Sequence, residues 1–164
     1  MITLGTTLLG ATFALLQSTW LSGWFVLGAR PDLVLIVLTY HSYRTGVQRG
    51  QISGFIVGLV EDGLSVSPPG FHAVIRLVHS AIIGATRQSV TTDPIVTPVT
   101  LTAIAFGLKT LAVLLVGSIL RLERIAAGVF SLATLMEGLF TIVLAPAGFW
   151  LLRRIFDRYV RGLR

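Results

Sequence analysis

Six ionisable residues, Glu61, Asp62, Arg76, His79, Lys109 and Glu137, fall inside stretches otherwise built of Leu, Ile, Val, Ala, Phe and Gly. Carboxylates and imidazoles relay protons and ligate metals. His72, Arg76 and His79 recur at i, i+4 and i+7, which puts them on one face of a helix. Glu61, Asp62, His72 and His79 could form a proton relay or a metal site. The competing reading is that these groups satisfy one another and fix helix register, because an unpaired charge in an apolar helix costs several kcal/mol. The chain has no Gly-x-Ser-x-Gly elbow, no His-Glu-x-x-His and no phosphate-cradling glycine loop. We therefore expect buried polar pairs, with no catalytic residues, no bound cofactor and no metal.

Counting along helical hairpins suggests the pairs. With a turn at Pro68-Pro69-Gly70, Asp62 lies seven residues before Pro69 and Arg76 seven after, at similar depth on antiparallel helices. A salt bridge between them is expected. With a turn at Glu123, Lys109 lies fourteen residues before it and Glu137 fourteen after, roughly 20 Å along each helix. That places a second opposite pair near a bilayer midplane.

The elements that hold these residues are set by composition. Of 164 residues, 54% are hydrophobic and 12% charged, with a mean hydropathy of +0.84. The chain is far more apolar than a soluble domain. Breaking it at charges, Pro and Gly leaves six apolar segments: Ile2 to Leu27, Pro31 to Tyr43, Gly50 to Ser65, Gly70 to Gln88, Pro98 to Leu120 and Ile125 to Arg153. We expect an all-α integral membrane protein, one bundle of about six transmembrane helices over residues 1–164. The first segment reads as a retained span, since it lacks a charged leader and exceeds the apolar core of a signal peptide. Pro31 is expected at a first helical position with Asp32 on the helix dipole. The second segment is short for a full crossing, so it is shielded by neighbours or thins the bilayer locally, with five spans plus a re-entrant segment as the structural alternative.

Thirteen cations face seven acids, for a net charge of +6, and the arginines are scattered between apolar runs. Nucleic acid is therefore not an expected partner. A cytoplasmic N-terminus puts Arg44, Arg49, Arg87, Arg153, Arg154, Arg158, Arg161 and Arg164 on one side, against Arg30, Arg121 and Arg124 on the other. The positive-inside rule favours that orientation, with both termini cytoplasmic and the basic tail 153–164 meeting anionic lipid. Trp20, Trp24 and Trp150 lie near span ends, where aromatic rings favour the headgroup region. The absence of cysteine excludes disulfides and thiolate metal sites.

Gly50, Gly54, Gly58 and Asp62 recur every fourth residue. Small residues in that register admit another helix backbone, from within the chain, from a partner or from a second copy.

In order, Arg30-Pro31-Asp32-Leu33, Arg49-Gly50 through Gly54-Phe55 and Gly58-Leu59 to Asp62, Gly70-Phe71-His72-Ala73, and Glu137 followed by Ala145-Pro146 before a basic tail resemble the bacterial rod shape-determining MreD family. One departure is the stiff, uncharged turn Ser65-Val66-Ser67-Pro68-Pro69. The resemblance implies a non-catalytic inner-membrane subunit of the cell-elongation machinery. Such a subunit would bind the bitopic scaffold MreC and help couple MreB to peptidoglycan synthesis by RodA and its class B penicillin-binding protein. It also implies an architecture similar to the S-components of energy-coupling-factor transporters. The alternative function is thus a substrate-binding subunit of a vitamin transporter, with Glu61, His72 or Trp24 in its pocket. Against that alternative, the first span has Ala11 and Ala14 but no Ala-x-x-x-Ala docking pattern.

Overall fold

The computed structural model describes residues 2–19, 29–88, 93–122 and 127–161, and among these it is all helical, with no β-strand. Six helices carry the fold: α1 (Ile2–Thr19), α2 (Leu33–Thr45), α3 (Val47–Leu64), α4 (Phe71–Ala85), α5 (Val96–Ile119) and α6 (Leu132–Arg161). A 3-10 turn, Thr86–Gln88, follows α4.

The shortest helix is at the centre. From Leu33 to Leu38 α2 is apolar on every side, and a helix without a polar face must be enclosed. Val34 through Ser42 are all buried. Val34 and Leu38 pack with Ala14 of α1 and Val57 of α3. Leu35 meets Ile83 of α4 and Ala105 of α5, while Ile36, Val37 and Tyr40 meet Leu101 of α5 and Phe149, Leu152 and Phe156 of α6. All five other helices therefore shield α2, which accounts for its length of about 20 Å, short of a bilayer core.

Glycine sets the closest crossings. A Cβ on Gly58 would stand 2.5 Å from the Ala73 Cα, and one on Gly54 2.5 Å from the Arg76 carbonyl oxygen, so α3 and α4 touch backbone to backbone. A Cβ on Gly50 would stand 2.7 Å from Ser42 Oγ of α2. The glycine stripe is thus filled from within the chain. Such contact gains dispersion energy, which replaces the hydrophobic effect where the solvent is lipid.

The outer helices α5 and α6 are the long ones. Val96–Ile119 and Leu132–Phe156 are each apolar and long enough to cross a membrane. Their outward residues Ile104, Leu111, Leu115, Leu135, Leu139 and Val143 are exposed large hydrophobics.

Several helix ends differ from expectation for local reasons. Asp32 itself is the N-cap of α2, accepting from the Leu35 amide at 2.8 Å, so Pro31 precedes the cap instead of opening the helix. Asp93 accepts from the Ile95 and Val96 amides and starts α5 before Pro98, which sits in the first turn where its missing N–H costs little. The last helix begins later than Ile125. Ser131 Oγ accepts from the Thr134 amide at 3.2 Å, and residues just before it are tied by turn bonds from Phe130 to Ala127 and from Ser131 to Gly128. It also runs on past Arg153 to Arg161, passing Pro146 inside. Trp20, Trp24, Glu123, Arg124, Ile125 and Arg164 lie outside the described residues.

Candidate functional site

At the start of α2 the fold gathers one ionised side chain from each of five helices. Asp32 is the hub and is buried to 4% exposure, as is the Arg76 side chain at 5%. The carboxylate Oδ2 of Asp32 accepts from Arg76 Nη2 at 3.1 Å and from Lys109 Nζ at 2.7 Å. Arg76 reaches Glu61 with two parallel bonds, Nε to Oε2 at 2.7 Å and Nη2 to Oε1 at 2.6 Å. A planar guanidinium fits a carboxylate in this forked way, which fixes direction as well as charge. Lys109 Nζ also donates to Glu137 Oε1 at 2.5 Å.

The chain of contacts runs Glu61, Arg76, Asp32, Lys109, Glu137. Three carboxylates meet two cations, leaving one formal negative charge in excess if all are ionised. Its ends are less enclosed than its centre: Glu61 is 16% and Glu137 27% exposed. Backbone joins in as well, since the Asp32 amide donates to Thr141 Oγ1 of α6 at 2.9 Å. Five helices are cross-linked at one level, α2 by its cap, α6 by Glu137 and Thr141, and the others by one side chain each.

Asp62 has a different task from the one counted for it. Its carboxylate does not meet Arg76; it accepts from the amides of Gly70 at 2.9 Å, His72 at 2.7 Å and Ala73 at 3.2 Å. The first turn of a helix leaves such amides without intrahelical partners, and Gly70, at φ +90°, offers no side chain to cap them. Asp62 therefore caps α4 from the preceding helix. Glu61, one residue earlier and about 100° round α3, is the residue that faces Arg76.

The histidines do not converge. His79 is buried with Nε2 3.1 Å from Thr39 Oγ1, and His72 turns its ring edge-on to Phe71. His41 lies between Thr6 Oγ1 at 2.7 Å and Thr45 Oγ1 at 3.3 Å. Among the described residues no three His, Asp or Glu side chains are grouped to hold a metal ion. Arg76 and His79 thus share a face of α4, but only Arg76 enters the ion network.

Sequence reasoning missed Asp32 as the hub, although a signal was there. Counting about Gly46, the turn between α2 and α3, puts Asp32 fourteen residues before it and Glu61 fifteen after, the same depth on antiparallel helices. Of the residues in the motif segments, Gly58 and Ala73 form the α3–α4 crossing, Gly70 takes the left-handed turn, and Pro146 stands within α6.

What this arrangement does is tie helices together through ion pairs. A comparison with protein families matches residues 1–155 to the family described as rod shape-determining protein MreD. No curated protein and no solved structure gives a match.

Proposed function

The chain belongs to the MreD family of rod shape-determining membrane proteins, and from that membership we propose that it is a non-catalytic subunit of the bacterial cell-elongation complex, binding MreC and helping to couple MreB to peptidoglycan synthesis by RodA and its class B penicillin-binding protein. The observation that carries this reading is the match across residues 1–155. The geometry adds support. The buried charges are engaged with one another and with helix ends, so the interior works as a clamp. The outward apolar faces of α5 and α6 remain for lipid and for a partner's transmembrane helix.

In this reading the protein crosses the inner membrane with all six helices, α2 being carried across inside the other five. Both termini are cytoplasmic, because Arg44, Arg49, Arg87, Arg153 and Arg154 then share the cytoplasmic side against Arg30 and Arg121 on the other.

The test is affinity purification of the tagged protein from native membranes in mild detergent, with mass spectrometry of what stays bound. We expect MreC, with RodA and its penicillin-binding partner in lesser amount. Loss of MreC when Leu135 and Leu139 are both changed to Asn would assign the α5–α6 face. Recovery of ATPase subunits, or of the protein alone, would sink the reading, the first in favour of transport.

A further inference from the structure

A cavity of about 650 Å³ opens at the end of the bundle opposite the ion network, between the C-terminal end of α2, the start of α3, the 3-10 turn, the start of α5 and the later half of α6. Its volume is in the range of ligand sites. Arg44, Arg49, Arg87 and Arg153 line it; Arg44 lies 6.0 Å over the Tyr40 ring, and among the described residues Arg49, Arg87 and Arg153 have no ion-pair partner. Its floor is aromatic. Tyr40 meets Phe149 edge-on at 5.4 Å and stacks with Phe156 at 6.3 Å.

Asp93, the one carboxylate in the lining among the described residues, accepts from the Ile95 and Val96 amides. The rim carries Ile95 at 65% and Trp150 at 60% exposure, residues suited to the boundary between headgroups and acyl chains. One wall is cationic and the other apolar. A free phosphate would use only the first, whereas a phospholipid would use both.

We propose that this cavity is a binding site for the phosphate headgroup of an anionic phospholipid, held by Arg49, Arg87 and Arg153 with its glycerol and upper acyl segments against the aromatic floor. Arginine suits this task because its fork matches phosphate oxygens and stays charged at all physiological pH. Basic pockets between transmembrane helices recognise lipid headgroups by the same chemistry.

The site is tested by native mass spectrometry of the full chain in neutral detergent, titrated separately with phosphatidylglycerol, cardiolipin, phosphatidylcholine and inorganic phosphate. The two anionic lipids should be retained as discrete adducts at least tenfold more tightly than phosphatidylcholine. Changing Arg49, Arg87 and Arg153 together to Gln should weaken retention on the order of a hundredfold, and each single change roughly fivefold. Arg121→Gln, at an exposed position outside the cavity lining, should leave it unchanged. If the triple variant fails to fold, the three single changes and the Arg→Lys set, which keeps the charge but loses the fork, carry the test. Equal retention of phosphatidylcholine, or undiminished binding by folded Gln variants, overturns the proposal. Binding of inorganic phosphate without retention of anionic lipid overturns it too, making the free ion the ligand.

Discussion

At its N-terminal end α2 meets a network of five ionisable side chains joined by ion pairs, while about 20 Å away, at its C-terminal end, three of the arginines that line a cavity, Arg49, Arg87 and Arg153, have no carboxylate partner among the described residues. Both ends carry charge on an apolar scaffold, yet only the first is sealed. Arg76 is 5% exposed on its side chain, whereas Arg49, Arg87 and Arg153 are all exposed. Where neither water nor headgroups reach, a charge must find its counterion within the chain, and doing so ties helices together. Where they do reach, a cation can stay free to meet something outside. The contrast separates a structural region from one open to a ligand.

The strongest test of that contrast compares Arg76→Gln with Arg49→Gln. Removing Arg76 leaves the buried Asp32 and the partly buried Glu61 with only Lys109 to offset them, an uncompensated charge worth about 3–5 kcal/mol of stability. Removing Arg49 leaves no buried group behind and should change stability by less than about 0.5 kcal/mol. Unfolding by titration with a denaturing detergent reads both. Similar midpoints for the two variants would mean that the network is incidental and the contrast empty.

Next in size is a pair of double-mutant cycles that divide labour between two adjacent acids. Arg76→Gln with Glu61→Gln should show a coupling of roughly 0.5–3 kcal/mol, as residues in one ion network do. Arg76→Gln with Asp62→Asn should be closer to additive, because Asp62 bonds to the amides of Gly70, His72 and Ala73 instead of the guanidinium. A larger coupling for Asp62 would reverse the assignment.

This second test marks the limit of what residue counting could reach. Depth along a helix is legible: Lys109 and Glu137, counted to the same level about Glu123, lie 2.5 Å apart, and Arg76, counted level with Asp62, binds Glu61 one residue away. Azimuth is not legible, because neighbours on a helix differ by about 100° and the rotation of α3 is set by Gly54 and Gly58 against α4. Glu61 and Asp62 could not be told apart by counting. The apolar segments were readable because Pro, Gly and charge interrupt them, but the enclosure of α2 was not. Its run LVLIVL would look the same facing lipid or facing protein, and only the packing of the other five helices decides between them.

The smallest expected effect lies at the cavity rim. The Val96 and Ile95 amides hold the Asp93 carboxyl below its ordinary value of 3.8, so the folded state binds a proton less readily there than the unfolded one. A depressed carboxylate contributes stability above its unfolded value and loses it as pH falls through the folded one. Asp93→Ala should therefore lower the unfolding midpoint slightly at pH 7, less than Arg76→Gln does, and the gap from wild type should close as pH drops below 3.8. Asn should keep most of the cap, since its side-chain oxygen accepts the same amides. Both variants remove a carboxylate from the lining, so both should retain phosphatidylglycerol more tightly than wild type. An Asp93→Asn protein with unchanged stability but tighter lipid retention would separate the two ends of α2 most cleanly, because it alters the field at the cavity and leaves the clamp untouched.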